Sequence, residues 1–97
     1  MRPVLSGLLC AAALLAAHQA SAADGQAVYN QACAMCHNNL PPKIGDKAAW
    51  APLIQKGNDA MVASVIKGTK GMPPRAGKKL SDEDIKSSTE YLLSKSQ

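Results

Sequence analysis

The sequence predicts a small all-α domain with about four short helices and long connecting loops. Apolar residues recur at helical spacing in several segments, whereas no run of β-branched and aromatic residues alternates with a period of two. Two stretches that are rich in glycine and proline separate helical segments and indicate loops. No internal repeat or low-complexity segment divides the chain, so we expect one domain after the N-terminal segment.

The N-terminal segment is typical of a secretory signal peptide. Arg2 supplies a positive start, residues 4–17 are almost entirely apolar, and residues 20–22 (Ala-Ser-Ala) offer a cleavage site. The apolar run of 14 residues is shorter than the ~20 residues that a membrane-spanning helix needs. We expect residues 1–23 to be removed and residues 24–97 to form the working domain, with no stable membrane span; an uncleaved anchor is the alternative.

The first helix is predicted over residues 24–34. Asp24 suits its N-terminus, because a carboxylate can cap the free amide groups and favours the positive end of the helix dipole. Gly25 lies on the same face as Val28 and Tyr29, and its lack of a side chain would let another helix cross very close. A fraying terminal glycine is the alternative for Gly25.

Two further helices are predicted over residues 49–56 and 59–67. Pro52 is compatible with the second helix only in its first turn. Asn58 or the residue after it caps the third helix, and Gly68 follows at the position where helices commonly end.

The last helix is predicted over residues 82–93, preceded by a capping box in which Ser81 pairs with Asp84. Loops are predicted over residues 38–47 and 69–79. Loops of that length in so small a domain suggest that they enclose something.

Residues 33–37 read Cys-Ala-Met-Cys-His, which is the attachment signature of c-type haem. Cys33 and Cys36 are three residues apart, so one helical turn places both thiols on one side, where they can add to the two haem vinyl groups. His37 is then the proximal iron ligand. Its second ring nitrogen should donate to a backbone carbonyl, and residues 41–42 (Pro-Pro) offer one.

The predicted domain has little apolar volume of its own. It contains no phenylalanine, and its only aromatic residues are Tyr29, Trp50 and Tyr91. Domains of this size often need a metal, a cofactor or a disulfide for stability. A covalently held haem c would supply the missing centre.

Met72 is the predicted sixth ligand of the iron. Once the N-terminal segment is removed, no second histidine remains. Met35 lies inside the attachment motif, and Met61 has the helical spacing of a core residue. Met72 stands in a Gly-Met-Pro-Pro stretch, where stiff prolines would limit the entropy lost on ligation. A histidine/methionine pair suits electron transfer.

Trp50 and Tyr29 are further candidates for contact with the cofactor. The indole N–H of Trp50 could donate to a haem propionate, or the ring could simply pack in the core.

The charge balance is mildly basic. Without Arg2, ten basic residues face seven acidic ones, and several lysines flank Met72. This surplus fits either an ordinary solvated surface or a face that guides docking to acidic redox partner proteins. No interleaving of aromatic and basic residues suggests nucleic acid.

Several segments resemble class I c-type cytochromes. They are the Asp-Gly start with Tyr29 and the motif at 33–37, the Met-Pro-Pro of residues 72–74, and the helix that contains Tyr91. Residues 43–52 are similar to the corresponding stretch of bacterial cytochrome c5.

This resemblance implies a cytochrome c fold wrapped around one covalent haem, with Gly25 and Tyr29 crossing the helix of Tyr91. It also implies ligation by His37 and Met72 and a role as an electron carrier. The signal peptide, together with haem attachment, indicates that this carrier is periplasmic. Two departures are a shorter loop after His37 and the absence of an additional cysteine pair found in many members.

Two other classes of function remain open. A haem-based sensor or peroxidase-like domain would need a sixth position that is open or easily vacated. A thiol or zinc protein would use Cys33 and Cys36 directly, but no βαβ pattern or matching second ligand pair accompanies them.

Overall fold

The computed structural model describes residues 24–97, which form four helical units and one short 3-10 turn. The predicted signal peptide, with Cys10 and His18, lies outside the described residues. The all-α prediction is confirmed, because the only bridge between extended residues in the described range joins Thr69 to Met72. None of the helices in this range has the length and apolar content needed to cross a bilayer.

Helix α1 is longer than predicted and contains a π-helical turn. It begins as Gly25–Val28, widens to a π-helix over Tyr29–Cys33, and returns to α geometry over Ala34–His37. The Asp24 carboxylate accepts from the amides of two first-turn residues, at 3.1 and 3.2 Å, as the capping prediction requires. The sequence pattern gave no sign of the π turn, which ends at Cys33, the first residue of the attachment motif.

Helices α2 and α3 cover Lys47–Ile54 and Asn58–Lys67. Helix α2 starts two residues earlier than predicted, because the Asp46 carboxylate accepts from the Ala49 amide at 3.2 Å and caps it there. Pro52 therefore lies inside the helix and not in its first turn, at the cost of one backbone hydrogen bond.

Helix α3 is capped differently from the prediction. Gly57 occupies the N-cap position with φ +94°, and no side chain caps the helix there. Helix α3 ends at Gly68, as predicted. The 3-10 turn Pro74–Gly77 follows, in what was predicted to be loop.

Helix α4 spans Asp82–Ser94 and starts with the predicted capping box. The Ser81 hydroxyl accepts from the Asp84 amide at 3.0 Å, and the Asp84 carboxylate accepts from the Ser81 amide at 3.2 Å. Its inner face supplies most of the core, including Ile85, Leu92 and Leu93.

Helices α1 and α4 cross at Gly25. A Cβ atom on this glycine would lie 2.8 Å from the Ser87 carbonyl carbon, would overlap the attached oxygen, and would approach Tyr91 Cβ to 3.2 Å. Beside the crossing, the rings of Tyr29 and Tyr91 pack with centroids 5.5 Å apart. The expected close crossing of the terminal helices is therefore present, and a fraying glycine is ruled out.

Candidate functional site

A cavity of about 520 Å³ opens between the end of α1, helices α2 and α3, and the inner face of α4. Its walls are mostly apolar, and it is large enough for a cofactor-sized molecule. The predicted site residues on its walls are Cys33, Cys36, His37, Trp50 and Met72. The fold thus brings together residues from three separate parts of the sequence.

Both motif thiols face this cavity. Cys33 is half-buried and packs against the core, whereas Cys36 is exposed. Burial raises the pKa of the Cys33 thiol, and a hydrogen bond with the Ser88 side chain partly offsets that effect. No disulfide joins the two thiols in the described chain, so both are available for thioether formation.

The described residues offer no ready site for the zinc alternative. Between positions 24 and 97, no group of three or more His, Cys, Asp and Glu side chains is arranged to hold a metal ion. A structural zinc site needs about four such ligands.

His37 is held by a backbone carbonyl, as expected from the sequence. Its Nδ1 lies 2.8 Å from the Pro42 carbonyl oxygen, so Nδ1–H donates there and Nε2 is left as the ring nitrogen free to bind iron. The Ile44 amide donates to the His37 carbonyl at 2.8 Å and closes the loop that carries Pro42. Of the two prolines that the sequence offered, the structure selects Pro42.

Trp50 contributes its ring face and not its N–H to the cavity. The indole N–H donates to the Lys43 carbonyl at 2.7 Å, and the side chain is buried. Since this is the only polar hydrogen of the ring, a bond to a propionate is not available in this arrangement, and of the two alternatives the structure favours packing in the core. The Trp50 ring lies 5.6 Å from the His37 ring, centroid to centroid, and so limits movement of the imidazole.

The Met72 backbone is fixed by a tight turn. The Thr69 amide donates to the Met72 carbonyl and the Met72 amide donates to the Thr69 carbonyl, both at 3.0 Å. Gly71 occupies the third position of this turn with φ +90°, a conformation that glycine adopts without strain. Met61 also lines the cavity, from α3.

Tyr29 is a core residue and not part of the cavity wall, which corrects its assignment as a cofactor contact. Its side chain is 2% exposed, and its hydroxyl donates to the Asn38 side-chain oxygen at 2.7 Å. The ring packs between α1 and α4, where it supports the backbone next to Cys33. The helical face that contains Tyr29 was predicted correctly, but the π turn, which begins at Tyr29 and ends at Cys33, changes the angle between that face and the thiols.

The buried phenol of Tyr29 is expected to make the stability of the fold decrease at alkaline pH. Burial raises the pKa of its phenol above the ordinary value of about 10, with smaller contributions from Cys33 and Tyr91. Above about pH 10 the unfolded chain loses this proton more readily than the folded chain, so stability falls as pH rises. We expect denaturant titrations of the holoprotein at pH 8 and pH 11 to show a smaller loss of stability in Tyr29→Phe than in wild type. Tyr91→Phe is the matched control, and an equal pH dependence in wild type and Tyr29→Phe would contradict the assignment.

Sequence reasoning missed several residues of the cavity wall. They are Ala76 and Leu80 from the loop before α4, and Ser88 from α4 itself. Ser88 is buried, and its hydroxyl donates to the Ile85 carbonyl at 3.1 Å. The one available signal for Ser88 was a pair of small polar residues, Ser88 and Thr89, on the face of the helix that also carries Ile85 and Leu92.

Comparison with known families gives a consistent result. Residues 20–92 match the sequence profile of the family described as "Cytochrome C oxidase, cbb3-type, subunit III". Cytochrome c-555 of Chlorobaculum thiosulfatiphilum is 48% identical over 84 residues, which cover 78% of this chain and 98% of that protein. Cytochrome c-555 of Chlorobaculum tepidum is 41% identical over 108 aligned positions and the full length of both chains.

More distant relatives and a solved structure agree with these matches. Cytochrome c6 of Porphyra purpurea is 35% identical over 76% of this chain and 71% of that protein. A chain in a crystal structure of an electron transfer complex of nitrite reductase with cytochrome c superposes with a TM-score of 0.73. It is 37% identical and covers 75% of this chain and 94% of its own length.

Proposed function

Because this chain belongs to the class I c-type cytochrome family, we propose that it is an exported one-electron carrier whose haem iron is held by His37 and Met72. Membership of this family establishes the covalent haem c and the electron-transfer role. The axial ligands, the attachment residues and the periplasmic location are the proposed parts.

The residues of the cavity fit such a cofactor. Cys33 and Cys36 would hold it through two thioether bonds, since both free thiols lie on the wall of the same apolar cavity. When bound, the haem exchanges one electron between its ferric and ferrous states. The mostly apolar walls of the cavity would surround the cofactor, tune its reduction potential and exclude water.

The observation that carries the proposal is that two potential iron ligands line one cavity and are both held in place by backbone hydrogen bonds. His37 keeps its proton on Nδ1 through the Pro42 carbonyl, and Met72 is fixed at both its amide and its carbonyl by Thr69. Ligands that are positioned before binding lose less entropy on coordination. A sensor or peroxidase-like domain would instead need a sixth position that opens easily.

Replacing Met72 tests the sixth ligand. In Met72→Ala we expect loss of the weak near-infrared band of sulfur–iron ligation and rapid, stoichiometric carbon monoxide binding by the reduced protein. The reduction potential should fall by a measurable part of the ~0.8 V range over which axial ligands set the reduction potential of haem. Visible and near-infrared spectra with a potentiometric titration provide the measurements.

Met61→Ala is the matched control, because Met61 lines the same cavity from a helix. It should keep the sulfur–iron band. Rapid and complete carbon monoxide binding by the wild-type protein at neutral pH would overturn the proposal in favour of the sensor or peroxidase-like alternative.

The proposal also covers the export of this protein and the class of its redox partner. The leader-like pattern of residues 1–23 supports delivery to the periplasm, where the haem would be attached. Exposed lysines on both sides of Met72, including Lys70, Lys78 and Lys79, support docking to an acidic redox partner. One structural relative was solved in a complex with nitrite reductase, so an enzyme that accepts or donates single electrons is a suitable class of partner.

A further inference from the structure

The segment that follows Met72 contains three consecutive residues in the left-handed region. Arg75 has φ 54° and ψ 33°, Ala76 has φ 56° and ψ 22°, and Gly77 has φ 71°. Only glycine adopts this region without a steric cost, so Arg75 and Ala76 are held there against their local preference. Such conformations persist only where surrounding contacts maintain them.

The Arg75 side chain supplies those contacts. Its Nη1 donates to the Leu80 carbonyl at 2.9 Å, and its Nη2 lies 2.8 Å from an Asp82 carboxylate oxygen. The planar guanidinium thereby bridges the strained turn to the first residue of α4. The ion pair alone would count for little, because the Asp82 side chain is 72% exposed. The bond to the Leu80 carbonyl is partly buried and charge-assisted, and so is the stronger contact.

The Met72 segment is therefore fastened on both sides. The double hydrogen bond with Thr69 fixes the side before Met72, and Gly68 packs so closely that a Cβ there would lie 2.8 Å from the Pro74 nitrogen. Pro73 and Pro74 stiffen the chain between Met72 and Arg75. A movement of Met72 away from the cavity must therefore pull on the Arg75 bridge.

We propose that Arg75 is a positioning residue that keeps Met72 on the iron by fastening the strained turn to the start of α4. This inference rests on the proposed ligation by Met72. Arg75 touches neither the iron nor its ligands and acts only on the equilibrium between a closed and an opened Met72 segment. Weakening the bridge releases the turn toward relaxed backbone conformations and increases the opened population.

The test uses the full-length holoprotein with three Arg75-related variants and one control. In Arg75→Ala we expect carbon monoxide affinity of the reduced protein to rise about tenfold or more, since one charge-assisted bond to a backbone group is lost. When the pH is raised, the sulfur–iron band of Arg75→Ala should also disappear at a lower pH than that of wild type. The carbon monoxide affinity of Arg75→Lys should lie between those of wild type and Arg75→Ala, because an ammonium group cannot bond to both the Leu80 carbonyl and the Asp82 carboxylate.

Asp82→Ala separates the two contacts of the bridge. It removes only the exposed ion pair, so its effect should be small compared with that of Arg75→Ala. Lys78→Ala is the control, because it removes the same charge from an exposed position of the same loop. If Arg75→Ala does not accumulate as holoprotein, Arg75→Lys decides the question with the same measurements.

The outcomes separate this inference from the proposal beneath it. A wild-type protein without the sulfur–iron band would overturn ligation by Met72. If the wild-type protein has the band, ligation by Met72 stands. If the Arg75 variants then match wild type and Lys78→Ala in carbon monoxide affinity and pH profile, only the role of Arg75 is overturned. A fall in melting temperature without change in these two readouts would show a purely structural role and would also overturn it.

Discussion

Replacing Cys33 and Cys36 together with serine is expected to abolish covalent haem attachment. Thioether formation needs a sulfur nucleophile at each vinyl group, and a serine hydroxyl does not react in its place. Both thiols lie on the wall of the cavity, and residues 24–97 contain no other cysteine that could substitute for them. The measurement is haem staining after denaturing electrophoresis, together with the intact mass.

Cys10→Ser is the matched control, because Cys10 belongs to the segment that we expect to be removed on export. It should leave pigment yield and mass unchanged. Cys36→Ser alone should retain at most one thioether. Pigment that stays with the double variant under denaturing conditions would show that attachment does not use these cysteines.

The double variant should also lose much of its stability. Within residues 24–97, only five apolar side chains are buried, namely those of Tyr29, Trp50, Ile85, Leu92 and Leu93. The cavity of about 520 Å³ lies directly against this core, so a cofactor bound there would form part of the packed interior. A ligand that binds only the folded state stabilises it. Thermal unfolding followed by circular dichroism would measure the loss.

Replacing Gly25 with alanine is expected to destabilise the holoprotein by about 1–3 kcal/mol, the range for overpacking a close contact. The new Cβ would overlap the Ser87 carbonyl, which is backbone and cannot rotate away, so the crossing of α1 and α4 must open. The direction of this change in stability is informative, because replacing glycine with alanine in an exposed helix would stabilise the protein by about 0.5–1 kcal/mol. Denaturant titration of the two holoproteins measures the difference.

Gln26→Ala is the control for this prediction. Gln26 is exposed in the same turn of α1, and a surface change of this kind should stay within about 0.5 kcal/mol. If Gly25→Ala were as stable as wild type or more stable, the close crossing of the terminal helices would be wrong.

The motif at residues 33–37 and the close crossing at Gly25 could both be predicted from the chain, whereas ligation of the iron by Met72 stays a prediction. Each depends on covalent chemistry or on local spacing, which the order of residues defines directly. The narrower resemblance to cytochrome c5 stays a prediction, because the curated relatives are cytochromes c-555 and c6.

Several polar partners could not be predicted in the same way. The Trp50 N–H bonds to the Lys43 carbonyl and the Tyr29 hydroxyl bonds to Asn38, and neither choice follows from spacing. Both partners come from the stretch after α1, whose path depends on contacts with the rest of the domain. One such contact is the Gly45 amide, which donates to the buried Ser96 hydroxyl at 2.9 Å from 51 residues away.

The sequence by itself determined the cofactor and supplied the candidate thiols and ligands, because reactive groups and helical periodicity are local properties. Only the tertiary structure decided which carbonyl orients His37, that Tyr29 supports the core, and that Arg75 fastens the segment after Met72. The physical reason is that hydrogen bonds and strained turns depend on where distant backbone segments meet. Packing around the cavity determines where these segments contact each other, and the adjacent residues in the chain do not.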